Sequence, residues 1–309
     1  MKSNIKRFID EFCINKVNSD IKLNQDLKNL TTFKISCTVP CYIKICSYVD
    51  LKLLCDLSKK YNIKSFCLGG GSKILFVAQK LNMVVYSLSG VFEKIALKNN
   101  AILVGAGANM SSLCSFCNKY NLSCVEWGLG IPCSIGGGVY MNAGCFGKSF
   151  KDIVESVVCT DGNRIFKLSN KDCNFDYRKS IFQKNGYIIL FVYLKFCYLQ
   201  QDIRQITLKM FNQKRESQPY NYPSVGSIFK RATLPAPIYI EKNNLKGLKV
   251  GDAEVSNKHC GFIINKKNAR PKQVLKIICK IKKTVWKKDA ILLYNEVLLI
   301  GEKRHGIFW

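Results

Sequence analysis

The segment from Gly128 to Gly147 limits the fold of this chain more than any other part of its sequence. It reads GLGIPCSIGGGVYMNAGCFG, and five glycines lie within the fifteen residues from Gly130 to Gly144. Because glycine and proline both disfavour the interior of regular elements, we expect neither a packed helix nor an ordinary strand here. Such a backbone can lie flat against a large planar or diphosphate ligand.

A second glycine loop, LGGGS at 68–72, follows a short predicted strand at 65–68. Its three glycines allow the backbone to approach a ligand closely and to turn N–H groups towards an anion. Neither a Walker loop nor a GxGxxG fingerprint is present, so this loop alone could be an ordinary tight turn. The two loops together favour a dinucleotide cofactor.

Length and composition exclude several classes of protein. The 309 residues exceed what one hydrophobic core usually serves, so we expect two or three domains. With 48% apolar and 22% charged residues, the chain is neither disordered nor a coiled coil. No apolar run is long enough to span a membrane, and the N-terminus lacks the apolar stretch of a signal peptide. We therefore expect a cytoplasmic protein.

Sixteen cysteines occur without the spacing of a disulfide framework, and we interpret them as reduced, mostly buried thiols. Cys114 and Cys117 have the CxxC spacing of a redox or zinc motif. They lie three apart on a predicted helix, however, and His259 and His305 are far away in sequence. We therefore predict a core face and no metal site.

The 48 basic and 21 acidic residues give a net charge of +27, which would suit nucleic acid or a phosphate-rich ligand. The lysines occur as short, scattered pairs rather than as one block, which favours a compositional bias with a modest preference for anions. The charge alone identifies no partner.

Helices and strands alternate without an internal repeat, which predicts a mixed α/β or α+β enzyme. We expect helices at about 5–17, 111–120, 202–214 and 271–284, and a helix after residue 50 that is capped by Asp50. A final strand is predicted at about 296–300.

Several motifs occur in one order along nearly the whole chain. They are LTTFKI (30–35), LGGGSKIL (68–75), VGAGANMSSL (104–113), GIPCSIGGGVYMNAGCFG (130–147), DYRKSIF (176–182), YPSVGSIFK (222–230), LKGLKVG (245–251), VSNKHCGF (255–262), LYNEV (293–297) and IGE (300–302). This series resembles the UDP-N-acetylenolpyruvoylglucosamine reductase (MurB) family of peptidoglycan-precursor enzymes, in its shorter type without an inserted tyrosine loop.

The resemblance implies an α+β fold with a two-subdomain FAD-binding unit of the vanillyl-alcohol-oxidase (PCMH) type and a C-terminal α/β substrate-binding domain. The expected divisions are 1–30 for an N-terminal helix and connector, 31–200 for the FAD-binding domain and 201–309 for the substrate-binding domain. Within the FAD-binding domain the subdomains would be about 31–90 and 91–200.

The implied reaction is the reduction of FAD by NADPH, followed by hydride transfer from flavin N5 to the enolpyruvyl double bond of a UDP-sugar. Negative charge then develops next to the substrate carboxylate, so the site needs cationic groups and a proton donor. By match to the family, Arg178 on a predicted strand edge would bind the carboxylate, Ser227 would donate the proton, and Glu296 on the terminal strand would stabilise the enol-like state.

The resemblance also implies binding residues. Substrate contacts would be Tyr177, Lys230 and Arg231, and His259 is expected only to pack or to bond within its loop. The expected cofactor contacts are Leu68, Gly69, Gly70, Gly71, Ser72, Lys73, Gly130, Ile131, Pro132, Ser134, Gly136, Gly137, Asn142, Ala143 and Gly144.

Four residues depart from the family pattern. Lys73 replaces an asparagine, although its charge could suit the FAD pyrophosphate, and Arg231 replaces an asparagine that contacts substrate. Cys133 replaces a glycine and would be strained if it required a positive φ. Asn244 also replaces a glycine, and asparagine tolerates the left-handed conformation.

Other functions stay open on the sequence. The chain could be a related FAD-dependent oxidoreductase with another substrate, a basic nucleic-acid-binding protein, or an inactive descendant of the family. The resemblance favours a monomeric enzyme that acts on a UDP-sugar, with neither nucleic acid nor a membrane as partner.

Overall fold

The computed structural model describes residues 2–98 and 100–301 of the chain. Glu302 of the IGE motif and His305 lie outside the described residues. The helices are α1 Lys2–Asn15, α2 Tyr48–Lys60, α3 Met110–Lys119, α4 Ile135–Tyr140, α5 Phe150–Ile153, α6 Phe182–Asn185, α7 Ile203–Ser217, α8 Ala236–Lys242 and α9 Pro271–Asp289.

The strands are short, and most of them pair with neighbours in small sheets. They are β1 Asp20–Asp26, β2 Thr38–Ile45, β3 Ser65–Cys67, β4 Ile74–Phe76, β5 Val84–Leu88, β6 Ile95–Lys98, β7 Ala101–Gly105, β8 Leu122–Ser123, β9 Gly144–Cys145, β10 Lys148–Ser149, β11 Val154–Thr160, β12 Ile165–Ser169, β13 Ile188–Leu194, β14 Cys197–Tyr198, β15 Ser224–Ser227, β16 Lys249–Val250, β17 Ala253–Val255, β18 Phe262–Asn265 and β19 Leu298–Ile300.

The chain forms two compact units, each built from separate stretches of sequence. Unit 1 contains the described residues up to Asn24, together with Pro40–Gly70 and Met83–Gln213. Unit 2 contains Gln25–Val39, Gly71–Asn82 and the described residues from Lys214 onward. The second glycine loop is therefore divided, because Leu68–Gly70 belong to unit 1 and Gly71 begins a stretch of unit 2.

Unit 1 contains two larger sheets, the two-stranded sheets β9-β10 and β8-β14, and the larger hydrophobic core. One sheet has the order β1-β2-β5-β3, in which β2 and β3 each pair with β5 in parallel. The other is antiparallel, with the order β12-β11-β13-β7-β6. Large buried side chains from helices and loops, among them Phe8, Trp127 and Phe150, belong to this core.

The start of α2 differs from the prediction that Asp50 is its cap. Ser47 is the N-cap residue, and its side chain accepts a hydrogen bond from the backbone N–H of Asp50. Asp50 is fully buried in the first turn and accepts hydrogen bonds from Val17 N, Asn18 N and Ser19 Oγ. Its carboxylate thus joins the end of the N-terminal segment to α2.

Unit 2 has an antiparallel sheet with the order β15-β18-β17-β16, and β4 pairs with β19 in parallel. On α9, the residues at 274, 277, 278, 281 and 285 follow the spacing of one helix face and are buried in the core of this unit. Asn244 follows α8 with a φ of 55°, which confirms that asparagine serves there in the left-handed conformation. None of the helices in the described ranges is long and apolar enough to cross a membrane.

Candidate active site

The unit 1 part of the second glycine loop lies against the long glycine-rich segment. A Cβ atom on Gly70 would lie 2.5 Å from Pro132 O, and one on Gly69 would lie 2.5 Å from Ser134 Oγ. Both glycines are nevertheless exposed to solvent. The two loops predicted to bind one ligand therefore lie side by side, and their close approach requires glycine at Gly70, where a Cβ atom would meet backbone.

The expectation that the glycine-rich segment excludes a helix is wrong, because Ile135–Tyr140 (IGGGVY) forms α4. Ser134 caps this helix by accepting a hydrogen bond from Gly137 N at 3.1 Å. A Cβ atom on Gly136 would lie 2.8 Å from Ala106 Cβ, and one on Gly138 would lie 2.3 Å from Phe150 Cε2. Packing against these neighbours requires glycine and compensates for its poor helix propensity.

Arg178 lies in a tight turn between Asp176 and Lys179 rather than on the predicted strand edge. Its φ is 55°, and its guanidinium donates to Asn142 O at 3.3 Å and to Gly144 O at 3.2 Å. The structure therefore brings a predicted catalytic residue together with two predicted cofactor residues.

The Asn142 side chain also connects the segment after α4 to the turn that contains Arg178. Its side-chain amide donates to Asp176 O at 2.9 Å, and its side-chain oxygen accepts from Lys151 N at 2.9 Å. Asn142 is buried and has a φ of 42°, a conformation that asparagine tolerates better than most residues. The Arg178 guanidinium lies 5.2 Å from the centre of the exposed Tyr177 ring.

The other predicted residues of unit 1 lie in or next to these loops. Cys133 is buried and does not adopt a left-handed conformation, so the strain considered for it does not arise. Gly130 has a φ of 83°. Gly130, Ile131 and Pro132 precede α4, Gly136 and Gly137 lie within it, Ala143 and Gly144 follow it, and Leu68 is buried next to the exposed Gly69 and Gly70.

Unit 2 contains the other predicted catalytic residues in a charged cluster. Lys73 Nζ lies 2.8 Å from Glu296 Oε1 and donates to Ser227 O at 2.7 Å. Ser227 ends β15, directly after Gly226, whose φ is 71°. The sequence predicts Lys73 as a cofactor contact and does not predict its ion pair with Glu296.

Glu296 lies in a bend two residues before β19 and not on the terminal strand as predicted. Its backbone N–H donates to Ile228 O at 2.7 Å, which joins the bend to the segment after Ser227. The Glu296 side chain is only 5% exposed, so its carboxylate depends on polar partners within the protein.

The predicted substrate residues Lys230 and Arg231 lie just after β15 in the chain. Lys230 is half-buried, and its backbone N–H donates to Tyr294 O at 2.8 Å. Arg231 is exposed in the loop that leads towards α8. Gly71 and Ser72 directly precede Lys73 in the chain, and Gly71 has a φ of 61°.

The residues expected to have structural roles have them. His259 Nδ1 accepts a hydrogen bond from Gly261 N, its ring packs against Phe262, and burial lowers its pKa. Cys114 and Cys117 lie on the buried face of α3, as predicted. None of the sixteen cysteines, which all lie in the described ranges, forms a disulfide, and burial raises the pKa of Cys41 to about 12. Across residues 2–98 and 100–301, no group of three or more His, Cys, Asp or Glu side chains could hold a metal ion.

Comparison with known proteins covers both units. Residues 218–300 match the family model of the UDP-N-acetylenolpyruvoylglucosamine reductase C-terminal domain, and residues 40–164 match that of an FAD binding domain. The chain is 37% identical over 289 residues to a UDP-N-acetylenolpyruvoylglucosamine reductase of Clostridium novyi, with 92% of this chain and 93% of the relative covered.

A second relative and a crystal structure of the same kind of enzyme are also similar to this chain. The reductase of the same name from Staphylococcus aureus is 34% identical over 290 residues, which cover 92% of this chain and 94% of the relative. The crystal structure of UDP-N-acetylenolpyruvylglucosamine reductase (MurB) from Thermus caldophilus matches with a TM-score of 0.77 and 29% identity, covering 91% of this chain and 98% of that one.

Proposed function

The chain belongs to the UDP-N-acetylenolpyruvoylglucosamine reductase family, and we propose that it uses NADPH to reduce the enolpyruvyl group of UDP-N-acetyl-3-O-(1-carboxyvinyl)-glucosamine. The product is UDP-N-acetylmuramate, a precursor of peptidoglycan. The observation that carries this function is the 37% identity to such a reductase over 92% of the chain. The predicted family and the α+β fold with an FAD-binding part and a C-terminal domain are confirmed.

FAD is the cofactor, and the residues of unit 1 fit it. Gly69 and Gly70 present exposed backbone beside Pro132 and Ser134, and a side chain on either glycine would collide with that neighbouring loop. These loops, with Asn142 and Gly144, are the residues that would hold the cofactor. When bound, FAD accepts a hydride from the nicotinamide and passes it to the methylene carbon of the substrate.

Arg178 is proposed to bind the substrate carboxylate, where negative charge increases during the reduction. A guanidinium suits a carboxylate because it can donate two parallel hydrogen bonds. The Arg178 side chain reaches the carbonyl groups of Asn142 and Gly144, which hold the guanidinium in one orientation. Tyr177, beside it, is exposed and proposed as a further substrate contact.

Ser227 is proposed to donate a proton to the carbon next to the carboxylate. A serine hydroxyl is a weak acid, so it needs polar support when it loses its proton. Lys73 and Glu296 bring a positive and a negative charge to the same cluster. Glu296 is proposed to stabilise the enol-like state, and Lys230 and Arg231 are proposed to contact the substrate.

The remaining proposals concern partners. We propose a monomer in the cytoplasm that acts on a UDP-sugar and has no nucleic acid partner. The lysines that produce the charge of +27 are scattered pairs along the chain, which supports a compositional origin. The diphosphate of the sugar nucleotide is an anionic ligand that a basic protein attracts.

The function is tested by product analysis of the FAD-loaded protein. With NADPH and the enolpyruvyl sugar nucleotide, we expect a product two hydrogen atoms heavier than the substrate, because NADPH supplies the two electrons by way of the flavin and water supplies the proton. In heavy water the product should carry carbon-bound deuterium at the carbon that is protonated, and the hydrogen carried through flavin N5 can exchange with the solvent as well. UDP-N-acetylglucosamine, which lacks the enolpyruvyl group, is the control. NADPH oxidation at the same rate with and without the substrate would contradict the proposal.

A further inference from the structure

We propose that Lys73 is a positioning residue that ties Glu296 to the backbone of Ser227 and so fixes the two predicted catalytic side chains of unit 2. The inference rests on the proposed function. Lys73 Nζ contacts both partners, at 2.8 Å from Glu296 Oε1 and 2.7 Å from Ser227 O. An ammonium group has three donor hydrogens, so it can serve both acceptors at once.

Strand pairing brings the lysine to this place. Lys73 directly precedes β4, and its carbonyl oxygen accepts from Leu298 N at 2.8 Å, at the start of β19. Parallel pairing then places Ile74 opposite Leu298. Because these contacts use only backbone atoms, a change of the Lys73 side chain leaves the β4–β19 pairing intact.

Burial explains why this position needs a charged side chain. The Glu296 side chain is 5% exposed and that of Lys73 is 25% exposed, so the ion pair is largely shielded from water. A buried carboxylate loses its hydration, and a paired cation compensates for this loss. An asparagine, which the related family motif has at this position, is shorter and neutral. It could donate a hydrogen bond but could not neutralise the carboxylate.

This geometry separates Lys73 from a residue that only binds the cofactor. If the lysine acts through Glu296 and Ser227, its loss slows the step in which the substrate is protonated. The transfer of electrons from NADPH to the flavin does not use either residue, so that step keeps its rate. The proposed role therefore predicts slower reoxidation of the flavin by the substrate together with an unchanged rate of flavin reduction by NADPH.

The test compares Lys73→Met, Lys73→Gln and Lys73→Arg, with Lys80→Met as the matched control because Lys80 is an exposed lysine in the same unit. FAD-loaded proteins are reduced with NADPH under anaerobic conditions and then mixed with the enolpyruvyl sugar nucleotide. We expect Lys73→Met and Lys73→Gln to slow flavin reoxidation about 10- to 100-fold, the loss typical of a hydrogen bond to a charged group. Lys73→Arg should recover part of the rate, and Lys80→Met should match the unchanged protein.

The outcomes distinguish the inference from the proposed function. Failure of the unchanged protein to be reoxidised by the substrate contradicts the function itself. Normal reoxidation of Lys73→Met and Lys73→Gln, in an unchanged protein that does turn over, overturns the role of Lys73. Loss of bound FAD or slower reduction by NADPH in these variants overturns it as well, because the residue would then support the cofactor. If Lys73→Met does not fold, Lys73→Gln gives the same decision.

Discussion

The predicted site residues of the two units offer different kinds of chemistry. In unit 1, most of the predicted residues offer backbone: exposed glycines, and the carbonyl groups of Asn142 and Gly144 that hold Arg178. In unit 2, the predicted residues offer charged and hydroxyl side chains, and Lys73 pairs with the Glu296 carboxylate and donates to the backbone oxygen of Ser227. The glycine loops of unit 1 are therefore sensitive to added atoms, whereas Arg178 and the unit 2 cluster are sensitive to the loss of a charged or hydroxyl side chain.

This difference suggests that cofactor binding and proton transfer depend on different residues. A backbone surface suits a large cofactor that must be held but not altered, because its close approach depends on the absence of side chains. Proton transfer needs specific groups with defined partners. We therefore expect substitutions in the two glycine loops of unit 1 to affect flavin content first, and substitutions at Arg178 or in the unit 2 cluster to affect turnover with flavin still bound.

The largest effect is expected for Gly70→Ala. Its methyl group would lie 2.5 Å from Pro132 O and 2.9 Å from Cys133 Cα, which are backbone atoms that cannot move separately. We expect the loops to separate and the purified protein to contain no flavin, as measured by absorbance. Gly186→Ala is the control, because its Cβ meets nothing within 4 Å and only its positive φ of 68° is unfavourable, by about 1–2 kcal/mol. A yellow Gly70→Ala protein would break the distinction between the units.

The next largest effect is expected for Ser227→Ala. Removing a general acid typically slows its step by about 10²–10⁴-fold. We expect that loss in flavin reoxidation by the substrate, with flavin content and reduction by NADPH unchanged. Ser224→Ala, at the other end of β15, serves as the control. Normal turnover by Ser227→Ala would remove the proton-donor assignment.

Arg178→Lys should have an intermediate effect. A lysine keeps the charge but cannot donate in parallel to two acceptors while remaining bonded to two carbonyl groups. We expect kcat/KM for the sugar nucleotide to fall about 10- to 100-fold, from the loss of a hydrogen bond between charged groups. Flavin content should be unchanged, and the exposed Lys179 provides a control as Lys179→Met. An equal loss in both variants would show that the turn and not the guanidinium matters.

The smallest effect concerns stability in unit 1. Burial raises the pKa of Asp50, but hydrogen bonds from Val17, Asn18, Ser19 and Ser47 outweigh it, so the pKa is lowered overall. The stabilisation of the folded state by the Asp50 carboxylate is therefore complete above the pKa of an unfolded aspartate, about 4. It is lost as the pH falls through the lower pKa of Asp50 in the folded protein.

Denaturant unfolding of Asp50→Asn measures this contribution. The variant should lose about 1–3 kcal/mol at neutral pH, since buried donors lose a charged acceptor. The loss should decrease as pH falls below the unfolded value. Asp56→Asn on the same helix is the control, because its ion pair with Lys52 is exposed and contributes little. Equal stabilities at neutral pH would contradict the structural role of Asp50.

The sequence predicted much of the fold, because regular elements have local signals. The helices α1, α3, α7 and α9 form close to the bounds expected from the spacing of their apolar residues, and the short strand expected at 65–68 is β3. The helix α4 could not be predicted, because glycine disfavours a helix and only packing against Ala106 and Phe150 shows why glycine is there. The turn that holds Arg178 depends in the same way on contacts with distant carbonyl groups.

The sequence allows individual candidate residues to be proposed, but it does not predict how their side chains contact one another. Ser227 and Glu296 were identified from motifs, whereas their connection through Lys73 joins residues far apart in the chain. The only local signal was a lysine where the resembling motif has an asparagine. Such a substitution indicates a change of environment, but the partner becomes visible only when β4 and β19 are paired.

The proposed reaction is tested most directly by the absorption spectrum of the FAD-loaded protein, recorded anaerobically after NADPH and then after the enolpyruvyl sugar nucleotide. We expect the flavin absorbance to be lost on addition of NADPH and to return only when that sugar nucleotide is added. Flavin that is reduced but not reoxidised by the sugar nucleotide, in a fully folded protein, would contradict the proposed reaction.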